Sequence, residues 1–122
     1  MRQPDQPSAV RRAREFIHAN FQRNISLGEL QSVTGLSPWQ LDRAFKAATG
    51  LPLHKYLTHL RVAKARVALA AGARQAEVDV GFFDQSHLTR HFKAAMGLTP
   101  GQYASCFRPS RRNRKNVQDN TS

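Results

Sequence analysis

The chain has little of what secreted or membrane-spanning proteins require. Its one cysteine, Cys106, cannot form an internal disulfide bond, which indicates a reducing compartment. No stretch approaches the roughly 18 consecutive apolar residues of a membrane span. The polar start, MRQPDQPS, also lacks the apolar segment of a signal peptide. We therefore expect a cytoplasmic protein that does not enter a membrane.

Signatures of metal binding and catalysis are missing as well. The five histidines and one cysteine show no zinc-ligand spacing, so we expect no metal and no cofactor. Asp84, Ser86 and His87 occur close together. Neighbouring residues of a helix point about 100° apart, however, and cannot align as a catalytic triad. We predict that the protein is not an enzyme.

Acidic residues are scarce. The sequence has 8 Asp and Glu against 19 Lys and Arg, which gives a formal net charge of +11. An excess of this size favours nucleic acid as the first partner to consider and an anionic membrane surface as the second. It carries no information about the fold.

Strand-like alternation of apolar and polar residues is missing, whereas helical signals are frequent. Near the start of the chain, apolar residues follow helical spacing at Val10, Ala13, Ile17 and Phe21. Capping boxes pair a Ser or Thr with a Glu or Gln three positions later, and they begin at Ser26, Ser37 and Thr99. Glycines stand where the predicted helices end. We predict an all-α fold with about seven helices.

One ten-residue segment occurs twice in similar form. LDRAFKAATG at 41–50 returns 47 positions later as LTRHFKAAMG at 88–97. Each copy follows a short helix and a turn at Gly35 or Gly81, which predicts two helix-turn-helix units. At helical spacing, the residues that face outward are Trp39, Asp42, Arg43 and Lys46 in the first copy, and Ser86, Thr89, Arg90 and Lys93 in the second. On one helix this would be an ordinary solvated face, but its duplication on a basic chain favours DNA contact.

The boundaries between these units follow from the prolines, glycines and charge runs. We predict a disordered lead-in at 1–8, a first helix-turn-helix subdomain at 9–51, a linker helix at 52–71, a second subdomain at 72–107 and a disordered basic tail at 108–122. A linker of roughly 20 residues is about 30 Å long, close to the roughly 34 Å between successive major-groove faces. Because the outward residues of the two helix-turn-helix units differ, we expect an asymmetric DNA site.

The longest motif resembles that of a known family. GFFDQSHLTRHFKAAMGLTPGQY (81–103) resembles the signature of the bacterial AraC/XylS-type transcription regulators, and GLSPWQLDRAFKAATG (35–50) resembles their first helix-turn-helix. The resemblance covers residues 9–107. It implies a homeodomain-like, seven-helix domain that binds double-stranded promoter DNA, most often as an activator. It also implies DNA contacts at Trp39, Gln40, Asp42, Arg43 and Lys46, and at Gln85, Ser86, His87, Thr89, Arg90 and Lys93.

The second unit departs from the family pattern in its leading helix. Leu30 precedes Gly35 by five positions, whereas the corresponding Val78 precedes its glycine by three. An alternative register turns Ala73 and Ala76 inward instead. In either register the leading helix of the second unit is short or poorly packed.

Asp42 is electrostatically out of place on a basic face. It has two explanations: it accepts a hydrogen bond from a cytosine amino group, or it orients a neighbouring arginine. We favour the second.

Three functions compete. Sequence-specific promoter binding leads, and non-specific or architectural DNA binding is the alternative. A third hypothesis is an interaction module whose exposed helices contact RNA polymerase or an effector domain. Most relatives carry a separate effector-sensing domain, and we expect that domain to be missing from this chain.

The short leading helix predicts that the second unit is the less stable one. In native-state hydrogen exchange, we expect the amides of the helix at 85–96 to exchange faster than those of the helix at 38–49, because fewer contacts support them. Equal protection of the two helices would contradict this prediction.

Overall fold

The chain is described here by a computed structural model that covers residues 6–107, and all regular structure in this range is helical. Six α-helices and one 3₁₀ turn follow in the order α1 Gln6–Asn20, α2 Leu27–Thr34, α3 Pro38–Thr49, α4 Leu53–Ala70, the 3₁₀ turn Gln75–Glu77, α5 Gln85–Met96 and α6 Pro100–Ser105. The predicted all-α fold is confirmed. The 3₁₀ turn takes the place of the short leading helix that was predicted for the second unit.

Local sequence determines where three of these helices begin. Ser26, Ser37 and Thr99 each accept a hydrogen bond from the backbone N–H three residues later and complete capping boxes. Pro38 and Pro100 follow as first helical residues, where the N–H that proline lacks has no intrahelical partner in any case. α2, α3 and α6 therefore begin at the positions that the capping boxes predict.

The start of α1 corrects the predicted lead-in. Residues 1–8 were expected to be disordered, but α1 begins at Gln6. Pro7 lies in the first turn of the helix, where a proline ring is tolerated, so its presence did not exclude a helix there. Residues 1–5 and the predicted basic tail at 108–122 lie outside the described residues.

Two hydrophobic cores form, and α4 contributes to both. The first core buries Ala9, Val10, Ala13, Ile17, Leu30, Leu36, Leu41 and Phe45. The second buries Val62, Ala65, Leu69, Val80, Leu88, Phe92 and Ala104. From the early part of α4, Leu53 and Leu57 pack on the first core, while Val62 and Leu69 lie in the second. α4 therefore packs against both cores along its length and is not an isolated connecting helix.

The leading element of the second unit is reduced to the single 3₁₀ turn. Val78 packs against the second core, Val80 is buried within it, and Ala76 is exposed. The register that turns Val78 inward is therefore the observed one. α2 has eight residues in the corresponding place, whereas the 3₁₀ turn has three. The chain before Gly81 is too short here for a second copy of α2.

The repeat extends to an aromatic pair in each core. Phe45 of α3 meets Tyr56 edge-on, with ring centroids 4.9 Å apart. Phe92 of α5 meets Tyr103 in the same way, at 5.5 Å. Such pairs contribute about 0.5–1.5 kcal/mol beyond their burial. Each of the two second helices is therefore held against the helix that follows it, which fixes the face it leaves exposed.

A close backbone contact joins the two units. Gly81, in the turn before α5, has φ of 102°, and a Cβ atom added there would lie 2.1 Å from the carbonyl oxygen of Phe21 and 2.6 Å from Nε of Arg61. Phe21 follows α1 and belongs to the first unit in sequence, yet its ring packs on the second core. Glycine at position 81 is thus what allows the two units to touch.

This contact predicts that Gly81→Ala is strongly destabilising. A matched control is Gly97→Ala, because Gly97 also has positive φ, 83°, but a Cβ atom there would meet no atom within 4 Å. The control should lose about 1–2 kcal/mol of unfolding free energy from backbone strain alone. Gly81→Ala should lose roughly 1–3 kcal/mol more, because the methyl group overlaps neighbouring atoms. Urea denaturation measures both. Equal losses would mean that the contact is not tight.

Candidate nucleic-acid interface

The first candidate surface is the exposed face of α3. Leu41 and Phe45 are buried in the first core and hold the helix by its opposite side. At its start, the Gln40 side-chain oxygen accepts a hydrogen bond from the backbone N–H of Ser37 at 3.0 Å. Gln40 is half-buried, and this capping contact occupies its carbonyl oxygen. Its amide N–H groups are the part left to donate to a ligand.

Trp39 and Arg43 form the most exposed part of this face. Trp39 is 66% exposed, and the guanidinium carbon of Arg43 lies over its ring at 4.7 Å from the centroid. A cation–π contact at an exposed site contributes about 0.5–1 kcal/mol. It also limits the conformations that the long arginine side chain samples. Lys46 is exposed one turn further along the helix.

Asp42 has a structural contact that the sequence did not reveal. Its Oδ1 accepts a hydrogen bond from the backbone N–H of Leu53, the first residue of α4, at 3.0 Å. Pro52 occupies the N-cap position of α4 and offers no side-chain cap. A carboxylate is favourable here because the N-terminal end of a helix carries partial positive charge and unpaired N–H groups. The expected contact with an arginine is corrected, since within residues 6–107 Asp42 takes part in no ion pair.

The second candidate surface is the exposed face of α5. Asp84 caps the helix by accepting a hydrogen bond from the backbone N–H of His87 at 2.9 Å. Leu88 and Phe92 anchor the opposite side in the second core. The outward side chains that are exposed on this helix are Gln85, Ser86, Arg90 and Lys93. Arg90 and Lys93 repeat the exposed positions of Arg43 and Lys46.

Two predicted contact residues of α5 are held within the protein. Thr89 is half-buried, and its Oγ1 accepts a hydrogen bond from the Gln75 side chain at 3.1 Å. This bond fastens the short 3₁₀ turn to α5. His87 is half-buried beside the rings of Phe82 and His91, at 5.8 and 4.8 Å between centroids. Its Nδ1 is buried without a hydrogen-bond partner in the structure.

His91 forms the inner edge of the same aromatic group. Its ring stacks on Phe82, with centroids 5.2 Å apart and planes 8° from parallel. Burial lowers the pKa of His91 below its usual value, and the charges of His87, Arg90 and His54 lower it further. The neutral form is therefore favoured.

Phe83 is a large exposed residue that was not among the predicted contacts. It lies next to the N-cap of α5 and is 90% exposed. Its neighbour Phe82 packs on the second core. The sequence contains an indication of this exposure, because Phe82 and Phe83 are adjacent. Neighbouring side chains point in different directions, so one of the two is expected to face away from the core.

Other kinds of site are not indicated in the part of the chain that the structure covers. Within residues 6–107, no group of His, Cys, Asp and Glu is arranged to hold a metal ion. None of the helices in this range is long and apolar enough to cross a membrane.

Comparison with known proteins gives consistent matches. Residues 30–105 match the helix-turn-helix domain family known from AraC/XylS-type regulators. The HTH-type transcriptional regulator YbfI of Bacillus subtilis is 35% identical over 87 residues, which cover 70% of this chain and 32% of YbfI. The HTH-type transcriptional activator AarP of Providencia stuartii is 28% identical over 102 residues, which cover 80% of this chain and 75% of AarP. The match thus spans about a third of the Bacillus relative.

A solved structure shows the same arrangement of helices. The crystal structure of a probable AraC family transcriptional regulator from Rhodopseudomonas palustris superposes with a TM-score of 0.73 at 28% identity. The superposition covers 84% of this chain and 99% of that one.

The Asp42 contact predicts an effect on stability. Asp42→Ala should lower the unfolding free energy by about 0.5–2 kcal/mol, the usual value of a lost helix cap. Asp42→Asn keeps an acceptor oxygen and should lose less than half of that. Chemical denaturation at neutral pH compares the two variants. If Asp42→Ala were as stable as the unaltered protein, the bond to α4 would not be its main role.

Proposed function

Because this chain belongs to the AraC/XylS-type family of helix-turn-helix transcription regulators, we propose that it reads two adjacent major-groove segments of an asymmetric promoter site. In this proposal the first subdomain is 9–51, the linker 52–71 and the second subdomain 72–107. α3 reads one DNA segment, and α5 reads the other. Double-stranded DNA is the partner that the family and the helix-turn-helix fold support.

The observation that carries the proposal is the duplicated basic face. Arg43 and Lys46 on α3, and Arg90 and Lys93 on α5, are exposed at equivalent positions on two capped and anchored helices. Arginine binds guanine edges and phosphates, and lysine contacts phosphate. Charged residues on the solvent-exposed face of a single helix are ordinary and indicate no function. The same charged positions on two helices support a shared function, which we propose is DNA binding.

The length of α4 supports simultaneous binding by both helices. Its 18 residues span about 27 Å, somewhat less than the roughly 34 Å that separate equivalent major-groove faces. Because both cores are built on α4, this length is held by packing along most of the helix. One chain thereby supplies the two readers that a dimeric repressor obtains from two chains.

The asymmetry follows from the positions at which the two copies differ. The first copy has Trp39, Gln40 and Asp42 at these positions. The equivalent residues of the second copy are Ser86, His87 and Thr89. We assign base discrimination to Trp39, Ser86 and the two arginines. The other four positions hold α3, α4 and α5 in place through internal contacts: Gln40, Asp42, His87 and Thr89. Lys46 and Lys93 contact phosphate in this assignment.

The consequence for transcription rests on a relative. AarP is named as an activator, and its match covers 80% of this chain at 28% identity. We infer that this protein also activates transcription, with RNA polymerase as a second partner. An effector-sensing domain outside this chain is part of the same proposal.

The two arginines provide the test. Arg43→Ala and Arg90→Ala should each weaken binding to the preferred site by about 1–3 kcal/mol and relax base preference at one position, a different one for each variant. Fluorescence anisotropy with a panel of single-base-pair changes measures both effects. As matched controls, Lys46→Ala and Lys93→Ala should weaken binding to all sequences alike.

The alternative of non-specific or architectural binding predicts another result. If random duplex DNA competed as well as the preferred site, sequence reading would be excluded. If both arginine variants weakened binding to all sequences equally, base reading by Arg43 and Arg90 would be excluded. The basic charge alone would then account for binding through phosphate contacts.

A further inference from the structure

Arg61 lies where α4 passes from the first core to the second. It stands between Leu60, which packs on the first core, and Val62, which is buried in the second. Its guanidinium donates through Nε to the carbonyl of Phe21 at 2.9 Å and through Nη2 to the carbonyl of Arg23 at 3.0 Å. Both carbonyls belong to the loop that follows α1.

The same loop also contacts the second unit directly. The side-chain amide of Gln22 donates to the carbonyl of Asp79 at 3.4 Å. The carbonyl of Phe21 abuts Gly81, and the guanidinium of Arg61 lies 6.0 Å from the ring centroid of Phe82. We name this group the junction; it comprises residues 21–23, Arg61 and residues 79–82. It is a second connection between the units, independent of the backbone of α4.

The chemistry of Arg61 suits this position. Its side chain is half-buried, and within residues 6–107 it forms no ion pair with a carboxylate. Burial lowers its pKa from the usual value. Carbonyl oxygens beyond the C-terminal end of a helix carry partial negative charge, which favours a cation there. Nε–H and Nη2–H lie on one edge of the planar guanidinium and donate to two separate carbonyls, an arrangement that a lysine ammonium does not reproduce.

We propose that Arg61 is a positioning residue that fixes α5 relative to α3 and thereby sets the separation between the two DNA segments that the protein accepts. The inference rests on the proposed two-segment reading. Moving a DNA segment by one base pair shifts it by about 3.4 Å and rotates it by roughly 35° around the duplex. Two readers held by both α4 and the junction tolerate such a change poorly. If α4 alone connected them, α3 and α5 would move more freely relative to each other.

The experiment measures binding as a function of segment spacing. The full chain is titrated against duplexes in which the two segments of its selected site are moved apart or together by one or two base pairs, and against each segment alone. The unaltered protein should lose roughly tenfold or more in affinity at each changed spacing. Arg61→Ala should bind the original spacing roughly tenfold more weakly and show a flattened spacing profile. Its affinity for single segments should change less than about twofold.

Two further variants control for charge and folding. Lys55→Ala removes an exposed positive charge from the same helix, and within residues 6–107 that side chain forms no ion pair, so this variant should keep the sharp spacing profile. Arg61→Lys keeps the charge and most of the side chain, and it should resemble Arg61→Ala because it cannot bond both carbonyls. Circular dichroism checks that each variant is folded. If Arg61→Ala does not fold, Arg61→Lys alone decides the matter.

The possible failures are distinguishable. A folded Arg61→Ala or Arg61→Lys with the unaltered spacing profile would overturn the role of Arg61 and leave two-segment reading intact. If the unaltered protein showed no spacing dependence, two-segment reading itself would fail, and the inference would fail with it.

Discussion

The continuity of α4 through both hydrophobic cores is the constraint on which the rest of the structure depends. Leu53 and Leu57 belong to the first core, and Val62 and Leu69 belong to the second, so neither core is complete without its part of this helix. A domain of this size has little apolar surface to bury, and sharing one helix lets two small units reach adequate cores. Because both units pack on this one helix, the positions of the two exposed helix faces are also coupled.

Several contacts outside the cores reinforce that coupling. Asp42 bonds the first turn of α4, and Arg61 bonds the loop after α1 near the middle of α4. Gln75 bonds Thr89 and compensates in part for a leading helix that has shrunk to one turn. Each is a polar contact between two different elements of the structure. Asp42 and Thr89, two residues of the candidate interface, therefore have contacts within the protein that help to orient its helices.

The sequence predicted the local features well, because local chemistry decides them. Capping boxes at Ser37 and Thr99 begin their helices where expected, and the inward positions of Leu41 and Phe45 follow from helical spacing. The contacts of Asp42, Thr89 and Arg61 were not predictable in this way. They depend on which residues the fold brings together, and no periodicity in the chain records that. The early start of α1 was missed because Pro7 reads as a helix breaker unless its place in the first turn is known.

We propose that one chain reads two different DNA segments held at a fixed separation. This arrangement can be examined by selecting bound sequences from a pool of random duplex DNA, with the full chain as bait. The selected duplexes should share two unlike segments whose centres lie about one helical turn, roughly 10–11 base pairs, apart. Enrichment of a single segment, of a palindrome, or of no sequence at all would rule this arrangement out.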